Sequence, residues 1–432
     1  MSTVARAPSP PASRKHRQAE LVALANRLGR EKFAPRAARY DRDASFPHEN
    51  YADLRAAGML GLCVPESHGG LGADFETYCL VSAELGRWCG ATALTFNMHA
   101  CSALWTGPLA DALEMDDATR AELARLREGH WRRRVEDGAI YAQPFSEGSA
   151  AAAGRAPFGT LARKVDGGWV LNGRKIFASL SGAAHFYGVL CTEDKPDRSM
   201  RDTLYVAVPA AAPGVAITGD WDPLGMRGTV SRTLVMKDAF VADEMQLMPS
   251  GLYFRAASDW PHMFLTLAPT YMGLAQAAWD FTVQYLRGEA PDTPPVKRRM
   301  YPTKQIAVAE MFVKLQQTRA LFERTIAEAK CRPSKPERLA AYATQFTIME
   351  NAQAIAARSS IQRPTGSVTR RSRRARRAPR GRAGRGTAPR SRAASARRSG
   401  CRGRCARAAA TSASTARRRC GSRARRSPAR SP

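Results

Sequence analysis

The residues of this chain that could do chemistry are few and spread out. Seven His are scattered along 432 residues, with no HExxH pair and no Ser, His and Asp in an order that suggests a nucleophile and its base. No phosphate-binding P-loop is present, and no GxGxxG follows a strand. Cys63, Cys79, Cys89, Cys101, Cys191 and Cys331 show no CxxC pairing and no His at metal-ligand spacing. No metal is therefore expected, and buried free thiols in a reducing cytoplasm account for them. What remains is a set of short stretches rich in glycine and hydroxyls. They are Gly69-Gly70-Leu71-Gly72, Tyr141-Ala142-Gln143-Pro144 with Gly148-Ser149 beyond, Asn172-Gly173 ahead of Phe177-Ala178-Ser179, and Leu224-Gly225-Met226-Arg227-Gly228-Thr229. Taken singly, Phe177 reads as core, and Ser149 and Ser179 read as turn residues.

The elements that must position these stretches change type twice. From 17 to about 105 the pattern is helical: Phe75, Tyr78, Val81, Leu85 and Trp88 recur every three or four residues, with Asp74 as N-cap. A charged, exposed helical stretch follows at 111–137. From about 139 to 241 short β-rich runs take over. Trp169-Val170-Leu171, Asn172-Gly173 and Arg174 to Phe177 read as strand, tight turn, strand, because Asn-Gly supplies the positive φ angles of a two-residue hairpin. Further strands are expected at 186–191, 204–208 and 233–236. From about 259 to 357 the pattern is helical again, with Val308, Phe312, Leu315, Phe322 and Ile326 on one face of a long helix and another helix begun at 336. The fold class is thus α+β and multidomain. It comprises a disordered N-terminus (1–16), an N-terminal helical domain (17–137), a middle β-sheet domain (138–245), a C-terminal helical bundle cut short (255–357) and a disordered Arg-rich tail (358–432).

That tail decides the charge. It holds 25 Arg and no Lys, Asp or Glu, which leaves 42 basic and 38 acidic residues, a net +4, in the rest of a chain of formal charge +29. With one Val and one Ile it cannot bury enough apolar surface to offset its ordering entropy. Either it is a basic arm that binds nucleic acid non-specifically and salt-dependently, or it is a GC-rich stretch read out of frame. The absence of Lys and of stacking aromatics favours the second. No run approaches the length of a membrane span, and 1–17 has no apolar signal core, so a cytoplasmic protein is expected.

In their order along the chain these stretches resemble the acyl-CoA dehydrogenase family of flavoproteins. The resemblance runs from Phe46-Pro47-His48-Glu49 through Leu60-Gly61 and Val64-Pro65-Glu66, then Gly148-Ser149, Leu171 to Ser179, Leu224 to Thr229, and Gly273-Leu274-Ala275-Gln276. It covers about 17–357. It implies FAD held between the β domain and the C-terminal helices. Phe177 would pack beside the flavin and Ser179 would approach its N5 edge. Ser149 would sit by the pyrophosphate, where Gly148 allows close approach, and Ala142 and Gln143 would lie near the pyrimidine side. A flat aromatic suits a flavin, and hydroxyls and amides tune its electronics. The implied reaction is α,β-dehydrogenation of an acyl thioester such as an acyl-CoA. The implied assembly is a homo-oligomer.

Several positions depart from the family pattern. Gln143-Pro144-Phe145 stands where Thr-Glu-Pro is usual, and Phe177 and Ser179 replace Trp and Thr. The Arg-x-x-Phe-Gly stretch is not found after Gln284, although Arg298-Arg299-Met300-Tyr301 stands nearby. The carboxylate that removes the Cα proton has no counterpart. In most members it falls beyond 357, and in a minority at the position of Met263, beside an Arg replaced here by Phe264. Asp259 and His262 are poor substitutes on a different helix face. The catalytic residue is therefore unknown, and the resemblance leaves open whether the chain as written is active. An alternative within the fold is a flavin-dependent monooxygenase, which needs no such carboxylate. His99 would suit it but reads more simply as core. A third alternative is non-enzymatic nucleic-acid binding through the tail.

Overall fold

A computed structural model of the chain describes residues 11–149, 156–291 and 293–361. Helices come first: α1 (Pro11–Leu28), α2 (Ala34–Asp43), α3 (His48–Ala56), α4 (Phe75–Trp88), α5 (Gly90–Leu104) and α6 (Asp117–Val135). Asp74 caps α4 by accepting a hydrogen bond from the Thr77 amide at 2.9 Å. The stripe Phe75, Tyr78, Val81 and Leu85 is buried as the helical period requires. The α6 stretch is not wholly exposed as expected. Leu123, Leu126, Trp131 and Arg134 are buried on one face of it.

The middle segment forms one twisted sheet: β1 (Tyr141–Ala142), β2 (Leu161–Val165), β3 (Gly168–Ala178), β4 (Phe186–Glu193), β5 (Thr203–Pro209), β6 (Val215–Thr218) and β7 (Arg232–Ala242). The strand order is β1-β4-β2-β3-β7-β6, with β5 on β4. The Asn172-Gly173 hairpin is not formed. Both residues lie inside β3, which runs unbroken from Gly168 to Ala178. The turn is Asp166-Gly167, between Val165 and Gly168, with Gly167 at φ +72°. Gly173 serves close approach instead: a Cβ there would lie 2.5 Å from Thr160 Oγ1. Asn172 pins the neighbouring strand by accepting from the Asp238 amide at 2.9 Å.

Four helices follow: α7 (Leu252–Asp259), α8 (Ala268–Arg287), α9 (Pro302–Ala327) and α10 (Lys335–Ile361). Helix α8 crosses α4 so closely that a Cβ on Gly273 would meet the Ala83 carbonyl at 2.1 Å. On α9 the expected face is only partly right. Met311, Leu315, Phe322 and Ile326 are buried, whereas Phe312 points outward beside Trp279. The face from Val308 to Ile326 is thus largely covered. The exposed apolar side of α9 is instead Ile306, Phe312 and Val313. Two expected borders of disorder also move. Helix α1 already starts at Pro11, with Arg14 paired to Asp74, and α10 continues to Ile361, where buried Ser359 is hydrogen-bonded to Thr282 at 2.9 Å. The rest of the Arg-rich tail lies outside the described residues. Among the described residues no helix is long and apolar enough to cross a membrane.

Candidate active site

The end of β3 carries the candidate site. Two register irregularities against β7 interrupt this strand, one between Leu171 and Gly173 and one between Lys175 and Ala178. The second turns Phe177 outward, because a one-residue shift exchanges the two faces of a strand. Phe177 is 59% exposed and adopts φ +53°, a left-handed conformation that is costly for a bulky residue. It is held there by its neighbours. The Ile176 amide donates to the Ser146 carbonyl at 2.8 Å, and the Leu180 amide donates to the Thr229 carbonyl at 3.0 Å. Trp221 meets the Phe177 ring edge-on at 6.1 Å between centroids.

Beside the ring runs a chain of hydroxyls. Thr229 Oγ1 donates to the Met226 carbonyl at 2.9 Å. Ser231 Oγ lies 2.7 Å from Thr229 Oγ1 and 2.7 Å from Ser179 Oγ. Each hydroxyl has one proton. Either atom of each Ser231 contact can be the donor, so the half-buried Ser179 hydroxyl at the end of the chain can donate or accept.

The turn after β1 approaches from the other side. Gly148 is exposed at φ +73°, and a Cβ there would lie 3.7 Å from Ile176 Cδ1. Exposed Ser149 follows it. Four of the six residues singled out in the sequence, Gly148, Ser149, Phe177 and Ser179, thus gather near the end of β3. Ala142 and Gln143 stand behind them. Ala142 is buried in β1 opposite Tyr187, and buried Gln143 donates from Nε2 to Tyr205 Oη at 2.8 Å.

Sequence reasoning missed an ion pair beneath the turn. Lys175 Nζ lies 2.7 Å from Glu147 Oε1, with side chains 0% and 7% exposed. Glu147 also accepts from the amides of Gly159 and Thr160 and from Thr160 Oγ1. Burial raises its pKa, but Lys175 and these donors more than offset that and hold it below the ordinary carboxylate value. The alternating pattern of β3 puts Lys175 on its buried side, which was the available signal.

A cavity of about 660 Å³ opens between the sheet and the C-terminal helices, walled by Phe145, Phe158, Tyr253, Phe254, Phe264 and Tyr342. No carboxylate stands among its described lining residues, and Arg338 is the one charged group there. Met263 is buried behind Phe264, and Asp259 is tied to Arg332 at 3.0 Å. His262 is buried, which lowers its pKa. His99 is a satisfied core residue. Its Nδ1 accepts from the Tyr141 amide at 3.1 Å and its Nε2 donates to the Leu60 carbonyl at 2.8 Å. Among the described residues no group of His, Cys, Asp and Glu could hold a metal ion.

An exposed aromatic in a strained conformation, a half-buried hydroxyl and a glycine turn thus lie at the end of β3. The comparisons name the class. Residues 15–110 match the N-terminal domain of acyl-CoA dehydrogenases and residues 145–239 match the middle domain. YdbM of Bacillus subtilis, named as an acyl-CoA dehydrogenase, is 31% identical over 300 residues, covering 68% of this chain and 73% of its own length. This chain belongs to the acyl-CoA dehydrogenase family, and it is an acyl-CoA dehydrogenase-like oxidoreductase. The fold is wider than the family. Butyryl-CoA dehydrogenase from Megasphaera elsdenii superposes with a TM-score of 0.65 at 21% identity, covering 83% of this chain and 88% of that one. Methanesulfinate monooxygenase MsuC from Pseudomonas fluorescens superposes at 0.62 and 19%, covering 78% and 85%. These two likenesses show a shared fold only.

Proposed function

We propose that this chain is an FAD-dependent oxidoreductase that dehydrogenates an acyl thioester, with the flavin lying along the end of β3. The observation that carries the reading is Phe177, held exposed at φ +53° beside the Ser179 hydroxyl chain. Strain of this kind persists only where the surroundings impose it, and it clusters at functional sites. When bound, FAD supplies a two-electron acceptor. Phe177 would pack against one face of the ring. Ser179 would hydrogen-bond to its N5 edge through the hydroxyl that ends the Thr229–Ser231–Ser179 chain. Ser149 and the Gly148 turn would hold the pyrophosphate, and the Ala142–Gln143 backbone would sit toward the pyrimidine side. The thioester would enter from the cavity, where Phe145 and Tyr253 exclude water. Free buried thiols support a cytoplasmic site of action.

A second reading, a flavin-dependent monooxygenase, is favoured by one observation: the cavity wall offers aromatic rings and no carboxylate among its described residues to take a Cα proton. The test is the visible spectrum of the full chain titrated with FAD, followed by anaerobic butyryl-CoA. Flavin binding that weakens at least about tenfold in Phe177→Ala, as expected for loss of an aromatic contact, supports the site. Bleaching by the thioester supports dehydrogenation, and its absence with flavin bound moves the assignment to the second reading. Failure to bind FAD at all refutes the proposal.

A further inference from the structure

The cavity between the sheet and the C-terminal helices has an unusual lining. Six of its walls are aromatic: Phe145, Phe158, Tyr253, Phe254, Phe264 and Tyr342. They come from three separate parts of the chain and converge on one space. Phe264 and Tyr342 are 42% and 43% exposed at its rim. Among the described lining residues Arg338 is the single charge. It lies half-buried on the first turns of α10. Its backbone amide bonds to the Ser334 carbonyl, but no hydrogen bond or ion pair reaches its guanidinium among the described residues. The adjacent acid is not free to serve it, because Glu337 is held by Lys330 at 2.8 Å and by the Ser334 amide at 2.7 Å.

A half-buried guanidinium without a partner, at the edge of an aromatic cavity, is complementary to an anion on an aromatic body. Rings favour offset or edge-on contact with other rings, and such contacts add to the area they bury. The cavity volume of about 660 Å³ lies in the range of small-molecule sites. Ser146, Thr203 and Ser258 supply the few polar groups that would orient such a ligand.

We propose that this cavity binds a compact aromatic acid, its rings packed among Phe145, Phe158, Tyr253 and Phe264 and its anionic group paired with Arg338. The inference concerns what the cavity holds and stands apart from which flavin reaction follows.

The test is calorimetric titration of the full chain, without added flavin, by 1-naphthoate, its neutral counterpart 1-naphthamide and the non-aromatic cyclohexanecarboxylate. One saturable naphthoate site is expected, with the amide and the alicyclic acid each about tenfold weaker or more, as befits a charge-assisted hydrogen bond and lost ring contacts. Arg338→Met should abolish the preference for the acid over the amide. Arg338→Lys should keep the preference in part, and Phe264→Leu should weaken both aromatic ligands while preserving it. The 25 Arg of segment 358–432 also attract carboxylates, and Arg338→Met separates the two, since binding to that segment is indifferent to it. Naphthoate binding unchanged in Arg338→Met, or equal affinity for acid and amide in the unmodified chain, overturns the proposal. Naphthoate binding without flavin uptake would instead defeat the function proposed above and leave this inference standing.

Discussion

Removing the carboxylate of Glu147 should destabilise the chain more than removing the ammonium of Lys175, although the two form one ion pair. The reason lies in what each partner keeps. In Lys175→Met the carboxylate retains donors from Gly159 N at 2.7 Å, Thr160 N at 2.9 Å and Thr160 Oγ1 at 2.6 Å. In Glu147→Gln the ammonium loses its counter-charge and keeps, among the described residues, neutral partners alone: the new amide oxygen, the Leu190 carbonyl at 2.5 Å and the Phe158 ring at 4.5 Å, with its side chain 0% exposed. Breaking a buried pair from one side costs about 3–5 kcal/mol. Glu147→Gln belongs in that range, at about 4 kcal/mol. Lys175→Met loses one charge-assisted bond from a group with three others, about 2 kcal/mol. The double variant leaves no isolated charge and should cost about 1 kcal/mol or less. For a unit of this size, with about 2.1 cal/mol/K of unfolding entropy per residue, each kcal/mol moves the melting temperature by roughly 1–2 °C. The expected falls are then about 4–8 °C, about 2–4 °C and under about 2 °C. The pH of the assay matters. Glu147 has a folded pKa below its unfolded value, so its contribution is fully present above the unfolded pKa and is lost as pH falls through the folded one. Thermal unfolding of the flavin-free chain at pH 7, followed by circular dichroism, measures the whole effect. A Lys175→Met variant less stable than Glu147→Gln, or a double variant no better than the worse single, would falsify this account. The pair also ties the Gly148–Ser149 turn to the strand that presents Phe177, so both single variants should lose affinity for FAD as well.

Two further outcomes follow from buried groups and close approaches. His99 and His130 are held neutral, mainly by burial and then by the charge of Arg134, with pKa values lowered to about 3. Their unfolded value is about 6.5, so the unfolded chain takes up protons as pH falls from about 6.5 toward 3, and stability falls over that window. Between pH 6 and 4.5 the unfolding constant should rise with a slope approaching about two protons, reduced by about one in His99→Gln, and a flat profile there contradicts the buried neutral imidazoles. Gly173→Ala should cost about 1–3 kcal/mol, because its Cβ would sit 2.7 Å from Thr160 Cα and force β2 away from β3. An unchanged melting temperature would mean that β2 retreats freely.

The order of helices, sheet and helices was legible because the apolar period changes from 3.6 to 2 and back. The Asp74 cap was legible because capping is local: one side chain and one amide three residues on. The hairpin was not. Asn-Gly and Asp-Gly are equally good two-residue turns, and both occur here within eight residues, at Asp166-Gly167 and Asn172-Gly173. What separates them is Thr160, just before β2, whose backbone presses on Gly173, a contact that no window on the sequence contains.

Phe177 shows the same limit at the site itself. Strict alternation along β3 from buried Trp169 and Leu171 puts Lys175 and Phe177 both inside. Lys175 obeys, at the cost of needing Glu147. Phe177 does not, because the register against β7 slips between Lys175 and Ala178 and exchanges the faces. Ala178 goes in and the ring comes out. Residue type and parity both argue for core at Phe177, so the strand pattern supports a buried environment where the structure exposes the ring. The slip is defined by the relation of β3 to β7, and it is held by amide bonds to Ser146 and Thr229, some thirty and fifty residues distant in sequence. The irregularity that exposes Phe177 is therefore the feature that hides it from a reading of the strand.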